Sequence, residues 1–481
     1  MMRTKKTSNY RMSVVVLMLT AMMMSLSGCG KAPEKETVAP TEALTEETST
    51  PETEEEISTA ALETTTAAVK QPAGATFHGT ATIEPTVLVD KNRIKITAND
   101  IRYANNQIQL GITLENNTEK DISVTAGTLG YSVNSINGYM MRDGYVNADI
   151  APGMKSNETV YFDTSELELM GITDVADIEI GFNIDDKDYN NIMKTGPIAI
   201  KTSLADSYDY GKDSFQEALN TGNFGRYGAD VVAVKNDEIY NQNGIIIGTE
   251  ALLEKDGNQL VILEAENTGA EPVNLRIGSI EINGLVVTSG DWEAQNVNAG
   301  KKLLLSESLD DLLPKDAANA VGISEIKSLG LDISQKDLDY NDILDAMPAS
   351  VAFTEDAGEY AASGTSVVDE NGVQITSCGG YVKEYGGLKL LYILKNTSDA
   401  PVTYDVAYGT FAANGFMIDP SVYSKTAAPG KSVLLEVEIF ESDMEKNNIT
   451  KLEDITDVQF TLEMKDQNYH TIGEEKVAVK Y

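Results

Sequence analysis

From about Thr80 to the C-terminus, apolar and polar residues alternate in short runs. Ile94-Lys95-Ile96-Thr97 does so, as do Ile178-Glu179-Ile180-Gly181-Phe182-Asn183-Ile184 and Val458-Gln459-Phe460-Thr461-Leu462-Glu463-Met464. A period of two buries one face of an extended segment and leaves the other in water, the pattern of half-buried antiparallel strands. No long stretch keeps a helical period. The pattern predicts an all-β chain.

The runs are punctuated in the same order three times. A strand begins after Asn92-Arg93, Asn243-Gly244 and Asn371-Gly372. About 25 residues later a strand ends in Asn-Thr, at Asn117-Thr118, Asn267-Thr268 and Asn396-Thr397. Asn-Gly follows at Asn137-Gly138, Asn283-Gly284 and Asn414-Gly415. Both residue types tolerate positive φ, which suits a type I′ hairpin. Then come Gly153, Gly300 and Gly430, with a basic residue after each at Lys155, Lys301 and Lys431. Ser165…Glu168 and Ser442…Glu445 have capping-box spacing for a short helical turn, and Ser308…Asp311 is a looser match.

The last strand pair of each copy encloses a polar loop ending near a tyrosine. The loops are Asp185-Asp186-Lys187-Asp188-Tyr189, Asp337-Leu338-Asp339-Tyr340-Asn341 and Asp466-Gln467-Asn468-Tyr469. Closing strands are expected at 198–201, 350–353 and 477–480. About seven short strands per copy predict three tandem immunoglobulin-like antiparallel β-sandwiches, at 80–203, 229–353 and 365–481. The Cys…Trp…Cys hallmark of antibody domains is missing. Residues 204–228 and 354–364 read as linkers. Ser214…Glu217 is expected to cap one short helix ending near Gly222.

The N-terminal segment has a different character. Arg3, Lys5, Lys6 and Arg11 precede an apolar run, 13–24, that is too short to span a membrane as a mature helix. Leu26-Ser27-Gly28-Cys29 then resembles a bacterial lipobox, with small residues before a cysteine that is lipidated. Residues 1–28 are thus expected to be a lipoprotein signal peptide, with Cys29 as the lipidation site. Residues 29–75 are rich in Thr, Glu and Pro, without aromatics or hydrophobic period, and are expected to form a disordered acidic tether.

Composition narrows the functional classes. The 481 residues carry 75 acidic and 37 basic side chains, a formal charge of −38. Nucleic-acid binding needs clustered cations and is excluded as a partner class. Cys378 is the only cysteine besides Cys29, so the folded part holds no internal disulfide. It is expected to serve as a small hydrophobe rather than a nucleophile. His78 and His470 are the only histidines, and neither has the setting of a catalytic base or a zinc ligand. No phosphate-binding or dinucleotide glycine motif occurs. No cofactor is expected.

Two sets of residues remain as candidates. Asp185, Asp186, Asp188, Asp337 and Asp339 supply oxygen-rich loops of the kind that hold Ca²⁺, although the EF-hand order is missing. Tyr145, Trp292 and Tyr423 recur between Asn-Gly and Gly-Lys, as ligand-facing platforms or as packing residues.

The lipobox, the acidic tether and the repeated sandwiches with L-x-N-T, N-G and P-G-K turns resemble Gram-positive, Firmicutes-type cell-surface lipoproteins. Those carry repeated immunoglobulin-like domains of unknown function. The resemblance implies a chain anchored through Cys29 on the extracytoplasmic face of the cell membrane, and it supplies no catalytic residues. The expectation is a non-enzymatic binding, adhesive or spacer module with a wall polymer, glycan or protein as ligand. A carboxylate-based envelope hydrolase or accessory subunit, and a calcium-stiffened rod, stand as alternatives.

Overall fold

The computed structural model describes residues 76–127, 132–288, 293–383 and 386–481. The signal segment, Cys29, the tether and Trp292 lie outside the described residues.

The chain folds as all-β sandwiches, with short helices confined to the connections. In the first repeat one sheet runs Thr86–Lys91, Ile94–Ala104, Gln107–Asn116, Lys155–Asp163 in spatial order. Facing strands run Asn191–Lys194, Asn183–Asp186, Ile122–Ala126, Val146–Ile150. All pairings within a repeat are antiparallel among the described residues.

The repeats are not beads on a string. The short strands Ile198–Lys201, Asp177–Ile180, Ser135–Ile136 and Tyr139–Met140 of the first repeat continue into Lys302–Ser308, Asn258–Asn267, Ile245–Lys255 and Asp230–Lys235 of the second. One sheet therefore crosses from repeat to repeat. A second composite sheet joins the second repeat to the third through Leu285–Thr288 and Ser432–Ile439. Both joins are parallel, pairing Tyr139 with Lys302 and Leu285 with Ser432. The third repeat is completed by a sheet that includes Val402–Val406 and Asp457–Lys465.

Three apolar cores follow, and each draws on a neighbouring repeat, the third through Val286 of the second. The first takes Ala251, Leu253, Ile262 and Leu304 from the second repeat. The second takes Leu391, Ile393 and Leu434 from the third. Burying these extra faces ties neighbouring repeats through the hydrophobic effect.

Residues 204–228 pack instead of spacing. Phe215, Leu219 and Phe224 are buried in the first core. The helix Ser214–Thr221 ends, as expected, at Gly222 in the left-handed region. Its cap is Asp213, whose side chain accepts the Gln216 N–H at 2.8 Å, whereas Ser214 donates its hydroxyl to the Met170 carbonyl. Arg226 locks the segment down, donating through Nε and Nη2 to the fully buried Glu168 at 2.9 and 2.6 Å.

Two of the other capping expectations shift similarly, and the third holds. Asp163, not Ser165, caps Thr164–Leu169. The helix Glu441–Lys446 follows Phe440 without a side-chain cap. Ser308 caps its turn, accepting the Asp311 N–H at 3.1 Å. A cap must sit one residue before the helix in extended conformation, and spacing alone does not show where the helix begins.

The turn motifs prove to be braces as well as turns. Asn137, Asn283 and Asn414 have φ of +49°, +54° and +52°, each followed by a glycine at positive φ, as a type I′ hairpin demands. Their Oδ1 atoms accept the Ala176, Lys327 and Thr456 N–H groups at 2.7 Å in every copy. Asn116, Asn267 and Asn396 are fully buried. Their Nδ2 atoms donate to the Ile150, Val297 and Ala427 carbonyls at 2.8, 2.8 and 2.9 Å. The motif of the first copy is therefore Asn116-Asn117, one residue earlier than the Asn117-Thr118 read from sequence. The backbone N–H groups of the same asparagines donate to the Met154, Lys301 and Lys431 carbonyls, so Met154 rather than Lys155 matches the two lysines.

Candidate functional site

The three tyrosine loops share one internal bracing. The Oδ1 atom of Asp186 accepts the Asp188 and Asn190 N–H groups at 2.9 and 3.0 Å. Asp337 does the same for Asp339 and Asn341, and Asp466 for Asn468 and His470. These bonds favour the charged form and hold all three carboxyls below the usual carboxylate range. The Asn190 backbone is the main cause at Asp186, the Asn341 side chain at Asp337 and the His470 backbone at Asp466. Tyr189, Tyr340 and Tyr469 sit at φ of +61°, +66° and +61°. Asp186 and Asp337 are thus committed to their own backbone, and Asp188 and Asp339 point into solvent. No group of three or more His, Cys, Asp and Glu side chains converges on a metal-sized site among the described residues.

In the first repeat the loop also overhangs a groove. Register pairs Asp185 with Ser123 and Ser123 with Asp149 across three strands. The next row is Asn183, Thr125, Asn147. Side chains alternate along strands, so both rows face outward while Ile122, Val124, Ala148 and Ile150 fill the core behind them. The result is a hollow of about 660 Å³, walled by Asp121 and by Lys187 and Tyr189 of the loop. Two strand spacings put Asp185 and Asp149 roughly 10 Å apart. Tyr145 is exposed one residue ahead of Val146–Ile150 and continues the outward alternation of Asn147 and Asp149.

The structure thus brings Asp185 and Tyr145, singled out for separate reasons, to one sheet face, whereas Asp186 pairs with the core-facing Ile122 and braces its own loop. It leaves Asp188 in solvent, and Asp337 and Asp339 on another repeat. Trp292 falls outside the described residues. Tyr423 is exposed but does not share the position of Tyr145. Ile150 and Ala427 both give their carbonyl to the buried asparagine. Counted back from them, Val422 matches Tyr145 and Tyr423 is one residue off.

The other repeats close the same row. In the second, Lys336, Asn274 and Asn296 occupy it, and Asn274 donates to Asn296 Oδ1 at 2.9 Å. In the third, Lys465 takes the place of Asp185, and the Thr403 and Thr426 hydroxyls bond to each other at 2.8 Å. The open acidic row belongs to the first repeat. Sequence reasoning missed Asp121, Ser123, Asn147 and Asp149, whose outward polar alternation looked like any solvated strand face.

Other chemical candidates are quiet. Burial pushes the Cys378 thiol up to about 11, and its Sγ lies 2.9 Å from the Ser363 carbonyl. His470 is exposed beside Asp466. No helix among the described residues is long and apolar enough to cross a membrane.

No protein-family model matches the chain, and no curated protein matches it. Among solved structures it is similar to an exo-chitosanase of Amycolatopsis orientalis, at 12% identity and a TM-score of 0.17. That match covers 49% of this chain and 26% of the enzyme, so the chain spans about a quarter of that protein's length. It is also similar to a red sea bream transglutaminase, at 11% identity, a TM-score of 0.14 and 62% and 37% coverage. A biofilm-associated BSP domain aligns over 86% of this chain and 83% of its own, at 10% identity and a TM-score of 0.13. Likeness at this level carries no functional argument.

Proposed function

We propose that the chain is a lipid-anchored, non-enzymatic binding protein of the cell envelope. Its recognition surface is the outward sheet face of the first repeat, and its ligand is a hydroxyl-rich polymer of the wall or a glycan. The observation that carries the reading is the cross-strand row Asp185–Ser123–Asp149, open to solvent beside Tyr189. Carboxylates, an amide and hydroxyls spaced about 5 Å apart on a rigid sheet can each pair with a different hydroxyl of an extended ligand, and tyrosine rings stack on sugar faces.

Binding is favoured over hydrolysis by exposure. A glycosidase acid keeps its proton near neutral pH by sitting in an apolar pocket. Asp149 is exposed and Asp185 is only half-buried. The anchoring half of the proposal rests on Leu26-Ser27-Gly28-Cys29 and the apolar run before it.

Calorimetry and glycan-array binding with the chain test the ligand half. Asp149→Ala and Tyr189→Ala are expected to weaken binding at least tenfold without changing thermal stability. Turnover of a wall polymer, or binding unaffected by both substitutions, would sink it. Fatty-acid labelling that is lost in Cys29→Ser tests the anchor.

A further inference from the structure

Two joins inside the chain are built alike. In the first, the Asn137-Gly138 hairpin lays Tyr139 beside Lys302, and the Lys302 N–H donates to the Gly138 carbonyl at 2.9 Å. In the second, the Asn283-Gly284 hairpin lays Leu285 and Val286 beside Ser432 and Val433. The residues after each hairpin are sealed: Tyr139 is 4% exposed, Met140 3%, Leu285 0% and Val286 5%. An ion pair closes each join, Lys301 to Glu179 and Lys431 to Glu281, both at 2.8 Å.

The third hairpin, Asn414-Gly415, has the same turn and the same bracing through Asn414. No described strand lies against its outer side. Phe416 and Met417, in the places of Tyr139 and Met140, are 54% and 62% exposed. In the first repeat, the strand Lys155–Asp163 corresponds to the two receiving strands and is the edge of its sheet. Its far half is covered where the Gly144 N–H reaches the Tyr161 carbonyl at 3.0 Å, just as Ser421 and Val422 cover the far half of Ser432–Ile439. Residues 155–159 have no strand on that side among the described residues. Met154, in the place of Lys301 and Lys431, is 60% exposed.

We propose that a second copy of this chain docks its Asn414-Gly415 hairpin onto the 155–159 edge of the first, repeating the internal join head to tail. The internal joins supply the geometry, and the altered residues at the two free ends fit one another. The receiving lysine has become Met154. The glutamate has gone as well: Ser135 with Glu179, and Glu281 with Gly330, are replaced by Ala412 with Gln459. Both members of the ion pair are missing together, so docking traps no unpaired charge. Tyr139 donates its hydroxyl to Glu264, whereas Phe416 has none to satisfy, and Thr113 stands where Glu264 would be.

The contact is confined to the hairpin and the strand edge. Beyond it, the first repeat's sheet carries Asp100, Arg102 and Asn157 where the second repeat buries Ala251, Leu253 and Leu304. A dissociation constant on the order of 0.1 mM is expected for so small a patch. Head-to-tail contacts that do not close on themselves grow into open chains.

Sedimentation velocity tests this on residues 69–481, which contain every residue of the three cores described. The wild-type fragment is expected to sediment faster as its concentration rises through 0.1 mM. Phe416→Asp and Met154→Asp are each expected to be monomeric. Their equimolar mixture is expected to recover dimers but no longer species, because each variant keeps one intact end. Phe416→Ser and Met154→Gln provide a milder pair should the aspartates disturb folding, which thermal melts report. A wild-type fragment that stays monomeric overturns the proposal. So does Met154→Asp associating like wild type, the result of a symmetric hairpin-to-hairpin dimer.

Discussion

The Tyr139 hydroxyl donates to Glu264 Oε1 at 2.8 Å, linking the hairpin of the first repeat to a central strand of the second. Lys302 Nζ lies 3.2 Å from the same carboxylate. Burial raises the pKa of Glu264, and Lys302 opposes that rise. Tyr139→Phe removes a donor from a buried carboxylate and is expected to cost about 1–3 kcal/mol. Urea denaturation reads the cost, and faster hydrogen exchange at the Lys302 amide locates it at the join. An unchanged midpoint would mean that the hydroxyl is idle.

Asn267 ties its own turn to a distant strand. Its amide donates to the Glu271 and Val297 carbonyls, and its oxygen accepts the Gly269 N–H. Asn267→Ala leaves the buried Val297 carbonyl unpaired and unties the turn that carries Gly269 and Glu271, and is expected to cost roughly 3 kcal/mol. Asn267→Asp is expected to be no better, because a carboxylate cannot donate. Thermal denaturation of both variants checks this. An aspartate variant near wild-type stability would show that the donated bonds matter little.

Tyr189 combines a strained backbone with an exposed ring beside the hollow. Its φ of +61° costs a non-glycine residue about 1 kcal/mol. Tyr189→Gly is therefore expected to leave the melting temperature level or slightly higher while weakening ligand binding. Parallel melts and calorimetry separate the two. A variant that loses stability and binding together would assign Tyr189 a packing role.

Glu250 sets a pH dependence. It is fully buried, and neither carboxylate oxygen makes a hydrogen bond of acceptable geometry. Burial, with the Asp237 charge adding, pushes its pKa from 4.5 up to about 7. Between those values the folded chain keeps a proton that the unfolded chain has released, so stability falls as pH rises. Below 4.5 the contribution is complete, and above 7 it is gone. The drop is expected to be on the order of 2 kcal/mol. Glu250→Gln cannot ionise, so its denaturation midpoint should lose less between pH 5 and pH 8 than the wild type's does. Equal losses in both proteins would place the titration elsewhere.

Part of the site could be read from the chain and part could not. Asp185, Asp186 and Tyr145 stood out because acidic tyrosine loops and an aromatic between Asn-Gly and Gly-Lys recur along the chain. Ser123, Asn147 and Asp149 did not, since an outward polar residue on a half-buried strand is the ordinary case. Only pairing across three strands lines them up with Asp185. The repeated aromatic failed as a common motif for the same reason, because loop lengths differ and the register puts Val422 where Tyr423 was expected.

By itself the sequence determined the local structure. Period-two alternation specified strands, Asn-Gly specified type I′ hairpins, and the threefold punctuation specified three copies, because each depends only on backbone preferences over a few residues. Tertiary structure decided everything that needs two distant segments: the buried asparagines that tie turns together, the packed segment 204–228, the sheets that run from one repeat into the next, and the row open in one repeat alone. Whether the residues after a hairpin are sealed or bare depends on what lies across from them. That is why Tyr139 and Phe416, at matching positions in the repeat, meet opposite environments.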